Sequence, residues 1–191
     1  MPTRHQPTAD QPEFQLDLDP DRRKAFVAQC NERLAAARAR HIEHSLEGGG
    51  IEGCRILSAE VDALLKSVYD WLAEETRLEP DSFGRIAIVA QGGYGRSVLN
   101  LHSDVDVLFL MPEDSRPTEQ AFIRSFLYIL WDLAKFDVGY AVKKPSEALQ
   151  AVGVDLDSTT ALIMMRPVAG NGYAVQDLGH RLAQSLSTSG R

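Results

Sequence analysis

The apolar residues change their spacing once along the chain, close to residue 80, and that switch limits the fold more than any other feature. Before it they recur every three or four residues, as on the buried stripe of a helix. After it they form short unbroken runs of β type, parted by glycine, proline or aspartate. Val61, Leu64, Leu65, Val68 and Leu72 trace an amphipathic helix, with Ser58 as its expected cap. Ahead of them, Asp19-Pro20 reads as an N-cap followed by proline at the first helical position. That helix carries Phe26, Val27, Cys30, Leu34, Ile42 and Leu46 on one face and stops at Gly48-Gly49-Gly50.

Beyond the breaker Glu79-Pro80-Asp81, strands are expected over 85–90, 105–111 and 138–143. Helices are expected over 118–136, 146–152, 158–165 and 177–186. This order predicts an α/β (α+β) domain: a small sheet covered on one side, with flanking N- and C-terminal helices. Residues 1–18, polar and carrying three prolines, are expected to form a flexible tail. Residues 19–79 are the N-terminal helical region and 80–191 the core.

Composition narrows the function. With 191 residues, one compact domain and a helical attachment fit, and two large domains do not. Twenty Lys and Arg against 27 Asp and Glu give a net charge of -7, so a partner gripped by its phosphate backbone, DNA or RNA, is not expected. No apolar run approaches the roughly 20 residues that span a bilayer, and no secretory h-region opens the chain. Two cysteines, Cys30 and Cys54, cannot staple a domain of this size, which points to a reducing, cytoplasmic compartment.

The chemistry concentrates in Gln91-Gly92-Gly93-Tyr94-Gly95-Arg96 and in Ser103-Asp104-Val105-Asp106. One strand stops in a glycine pair, and the next opens with carboxylates two residues apart. Strand alternation places Asp104 and Asp106 on one face while Val105 and Val107 point into the core. Paired carboxylates repel each other in isolation and suit a hard divalent cation. Glycines let backbone amides approach a polyphosphate. Taken singly, Asp-x-Asp is commonly a solvated face and Gly-Gly a turn; the combination describes a site for a Mg²⁺–nucleoside triphosphate. The remaining features read as structural: a basic face between Asp21 and Arg40, His41 and His44 without a supporting acid, His102 as a loop cap, and Trp131, Phe122 and Phe126 as core.

Gly92-Gly93-Tyr94-Gly95-Arg96, a short spacer, Ser103-Asp104-Val105-Asp106 and the aliphatic run behind it resemble the nucleotidyltransferase domain of bacterial protein-PII uridylyltransferases, in the DNA polymerase beta-like superfamily. Leu130-Trp131-Asp132 and Phe136-Asp137-Val138-Gly139-Tyr140 are similar to that family's Leu-Trp-Asp segment and following strand. The sequence departs at Ser97-Val98, where the family has Gly-Glu, and at Tyr140, where it has His. The family's enzymes are also several-fold longer, with HD hydrolase and ACT domains, so this chain is expected to be a piece of such a protein or a minimal relative.

The resemblance implies a small mixed sheet of the polymerase beta type and a role in nitrogen regulation. It implies metal held by Asp104 and Asp106 in a two-Mg²⁺ site, and a third carboxylate for which Asp137 is the candidate. Gly92, Gly93, Arg96 and Ser103 would then contact the nucleotide. The reaction implied is transfer of a nucleotidyl group, UTP favoured, to a hydroxyl of a PII-like protein acceptor. The open alternative is a nucleotide-sensing or protein-interaction module without turnover.

Overall fold

Asp19 accepts hydrogen bonds from the backbone N–H groups of Asp21 and Arg22, both at 2.9 Å, and Pro20 follows it, so the first helix starts where its capping residues place it. These features come from a computed structural model that describes residues 16–76, 84–134 and 136–189. Helix α1 (Pro20–Leu46) packs along α2 (Gly50–Thr76). The buried positions of α1 are Cys30, Leu34, Ala37 and His41. Ile42 and Leu46, expected on that face, are exposed, because at 3.6 residues per turn they lie about 120° and about 160° round the helix from Cys30. Leu16 and Leu18, at the end of the polar segment, pack against the same core; residues 1–15 lie outside the described residues.

Helix α2 begins at Gly50, two turns before Ser58. That serine is no cap: it is buried mid-helix, donating to the Cys54 carbonyl at 2.9 Å. The expected stripe of Val61, Leu64, Leu65, Val68 and Leu72 is fully buried. The breaker at Glu79-Pro80-Asp81 lies outside the described residues.

Strands β1 (Ala87–Ala90), β2 (Val105–Leu110), β3 (Val138–Lys143) and β4 (Arg166–Gly170) form one mixed sheet in the order β3-β2-β1-β4. β1 pairs antiparallel with β2 and β4, and β2 pairs parallel with β3. Helix α3 (Gly92–Gly95) is a single turn after β1, and α4 (Pro117–Trp131) makes the crossover between the parallel strands. After β3 come α5 (Pro145–Gln150) and α6 (Leu156–Ile163), and α7 (Gly172–Ser189) follows β4.

The sheet is covered on both faces, not one. Ile88, Ala90, Val105, Val107 and Phe109 face the core shared with α1, α2 and α4. Ala87, Val89, Leu108 and Leu110 face a second, smaller cluster with Ala148, Leu162, Val175, Leu178 and Leu182 from α5, α6 and α7. Short buried strands of this kind read as continuous apolar runs, which hides their second face from pattern analysis. Phe122 and Phe126 are core as expected, whereas Trp131 is half exposed and makes edge contacts with Tyr128 and Tyr140.

Candidate active site

On β2, five of six residues are buried, and Asp106 alone is exposed. It shares a face with Leu108 and Leu110 by alternation, at the end of the smaller core. Two glycines make room for its carboxylate. A Cβ on Gly92 would lie 2.6 Å from Oδ2, and a Cβ on Gly139, the register partner of Asp106 on β3, would lie 2.8 Å from Oδ1. Gly92 also has φ +57°, a left-handed backbone that L side chains resist. The main chain locks the arrangement: Gln91 N–H donates to the Asp106 carbonyl at 3.0 Å, just before the glycine turn.

The turn is closed by its own hydrogen bonds, Gly95 N–H to Gln91, Ser97 N–H to Tyr94 and Val98 N–H to Gly93. A Cβ on Gly95 would run into the Met164 carbonyl, so the turn sits flush against the segment leading into β4. Gly93 has ordinary room, and the steric need for glycine therefore falls on its neighbours. Arg96 is exposed, with its guanidinium near Gly93. Ser103 is exposed in the turn before β2, donating its N–H to Asn100 at 3.1 Å.

Partial burial, and then the charge of Asp104, push the Asp106 carboxyl above the usual aspartate value. Asp104 is exposed. The pair is thus an electrostatic tension that a cation would relieve. Asp137 stands just before β3; its carbonyl accepts from Val105 N–H at 2.9 Å and its carboxylate acts on Arg38 of α1. Among the described residues, no three His, Cys, Asp or Glu side chains gather as a metal-holding group. Asp104 and Asp106 offer carboxylate oxygens, which are hard donors. Mg²⁺ fits such a set, since it takes one or two carboxylates and completes its shell with phosphates and water.

No family model matches the chain. Three curated relatives are each named bifunctional uridylyltransferase/uridylyl-removing enzyme. That of Caulobacter vibrioides is 34% identical over 159 residues, covering 81% of this chain and 17% of the relative. That of Cereibacter sphaeroides is 31% identical over 174 residues, 88% of this chain and 19% of the relative. That of Phenylobacterium zucineum is 32% identical over 140 residues, 72% and 15%. This chain is a uridylyltransferase-related domain. It spans less than a fifth of the length of these relatives. No helix among the described residues is long and apolar enough to cross a membrane.

Two residues that shape the surroundings of Asp106 and the glycine turn are not among those the sequence singles out. Gly139 carried a signal, since glycine inside a strand marks a close approach. The buried Tyr94, with its hydroxyl on Asp62 and the Arg166 guanidinium over its ring, carried none, because its partners lie 32 and 72 residues away.

Proposed function

We propose that this domain transfers a nucleotidyl group from a nucleoside triphosphate, UTP in the first instance, to a hydroxyl on a protein acceptor of the PII signalling type. The observation that carries the reading is the Asp106 carboxylate, kept exposed on a buried strand between two glycines and beside a second aspartate. The names of the relatives support transfer of this class.

In this reading Asp104 and Asp106 hold Mg²⁺, with Asp137 as the candidate third carboxylate. Bound there, the ion offsets phosphate charge and lowers the pKa of the attacking hydroxyl. Gly92 and Gly93 line the triphosphate, and Arg96 and Ser103 reach it from the exposed edges of the turn and of β2. The acceptor oxygen bonds to the α-phosphorus, the bond from that phosphorus to the bridging α–β oxygen breaks, and pyrophosphate leaves with the bonding pair. The acceptor's proton passes to solvent or to a site carboxylate. A second reading, nucleotide binding without turnover, is favoured by one observation: the Asp137 carboxylate acts on Arg38 of α1.

Thermal unfolding with UTP, ATP, CTP and GTP, each with and without Mg²⁺, tests binding on wild type and Asp106→Asn. A ligand at a hundred times its Kd adds about 2.7 kcal/mol, or roughly 5–10 °C in Tm. The expected outcome is a Mg²⁺-dependent rise that disappears in the variant. Absence of any rise would remove both readings. Transfer of label from α-labelled UTP to a PII-type protein then separates the enzyme from the binding module.

A further inference from the structure

Two polar side chains stand one turn apart on α2, Ser58 buried and Asp62 half-buried, and they reach Leu99 and Tyr94 on either side of the loop that leaves the glycine turn. Asp62 accepts from the Tyr94 hydroxyl at 2.5 Å and pairs with Arg166 through two bonds, at 2.8 and 3.0 Å. The buried Ser58 hydroxyl accepts the Leu99 N–H at 2.9 Å. Tyr94 and Leu99 bracket the segment holding Gly95 to Val98, so one helix grips both its ends. Arg166, the register partner of Ala90, adds a third hold: it reaches the Tyr94 carbonyl at 3.4 Å and lies 5.4 Å from the ring centre. Burial, reinforced by the Asp62 charge, drives the Tyr94 phenol far above its ordinary range, so it stays a hydrogen-bond donor.

Satisfying buried polar atoms accounts for the bonds themselves, but not for their placement. Tyr94 follows Gly92 by two residues, and a glycine at that position leaves room for the Asp106 carboxylate where a Cβ would meet it. Both residues lie in one four-residue turn, so a displacement of Tyr94 moves the backbone that faces the Asp106 carboxylate. Misplacement of a binding group by about 1 Å is enough to cost much of its effect.

We infer that Ser58 and Asp62 of α2 are positioning residues for the nucleotide site, acting through Leu99 and Tyr94 to set the glycine turn against Asp106. This rests on the nucleotide-binding reading above. It makes the N-terminal helical region a working part of that site rather than a neighbouring support.

Calorimetric titration with UTP, ATP, CTP and GTP in Mg²⁺ tests it on wild type, Tyr94→Phe, Ser58→Ala and Leu72→Val. Tyr94→Phe keeps the ring and deletes only the hydroxyl; Leu72→Val thins the core of the same helix far from the turn. For the triphosphate that wild type binds, Kd is expected to rise about 5- to 10-fold in Tyr94→Phe and Ser58→Ala, the scale of one lost hydrogen bond. Leu72→Val should keep the wild-type Kd despite its lower Tm. Wild-type affinity in the first two variants, or equal weakening in all three, overturns the positioning role. Failure of the nucleotide reading looks different: wild type itself then binds none of the four, and the inference falls with it.

Discussion

The two faces of the sheet are built differently. The face toward α1, α2 and α4 is thick and aromatic, with Tyr69 edge-on to Phe122 at 5.2 Å and Phe109 edge-on to Phe126 at 5.4 Å. The face toward α5, α6 and α7 holds only aliphatic residues in its buried cluster and opens into an apolar groove of about 410 Å³ lined by Leu162, Val175 and Leu182. The acidic site lies at the end of the thinner face, where Asp106 and Gly139 leave space. The larger buried cluster thus lies on one side of the strands and the Asp106 carboxylate on the other.

Truncation is expected to cost most at the thick face. Phe122→Ala is expected to cost about 3–5 kcal/mol, and Leu182→Ala on the other face roughly 2 kcal/mol, because the open groove already leaves one side of Leu182 thinly packed. Urea unfolding measures both, and equal losses would mean the faces contribute alike. A smaller effect of opposite sign is expected at Ser97, the one non-glycine among the described residues with positive φ, at 58°. Ser97→Gly relieves that backbone and should raise Tm by about 2 °C, for a gain of roughly 0.5–1 kcal/mol. A fall in Tm would show that the serine side chain holds the turn.

The smallest effect sharpens the thin face. Asp106 has a folded pKa above its unfolded value, so its charged form destabilises at neutral pH, and the penalty fades as pH falls through the folded pKa. Without nucleotide or metal, Asp106→Asn should raise Tm at pH 7 by about 1–2 °C after allowing for solvent screening. The gap to wild type should close as pH approaches the ordinary aspartate value. A gap that widens on acidification would contradict the assigned cause.

What was legible in the sequence was local. The cap at Asp19, the α2 stripe and β3 all follow from residues within a turn or two of one another, and the glycine pair beside Asp-x-Asp was visible for the same reason. Strand β4 was not visible: Arg166-Pro167-Val168-Ala169-Gly170 has poor strand propensity, and proline is tolerated there because β4 lies at the sheet edge. The start of α2 was hidden by its glycines, and the exposure of Trp131 by a helix that ends earlier than its apolar pattern. The clasp on Tyr94 joins residues as many as 104 apart, and no short-range pattern encodes such a meeting.

Arg166 stands 72 residues after Tyr94. During synthesis the glycine turn therefore leaves the ribosome well before the cation that clasps its tyrosine and the Met164 carbonyl that backs it. Until β4 arrives to pair with β1, Asp62 and Tyr94 meet without their positive partner and the sheet keeps an open edge. A nascent chain halted before residue 166 holds the glycine turn, Asp104 and Asp106 yet lacks the guanidinium that clasps Tyr94, so the turn gains its full set of holds only when β4 is in place.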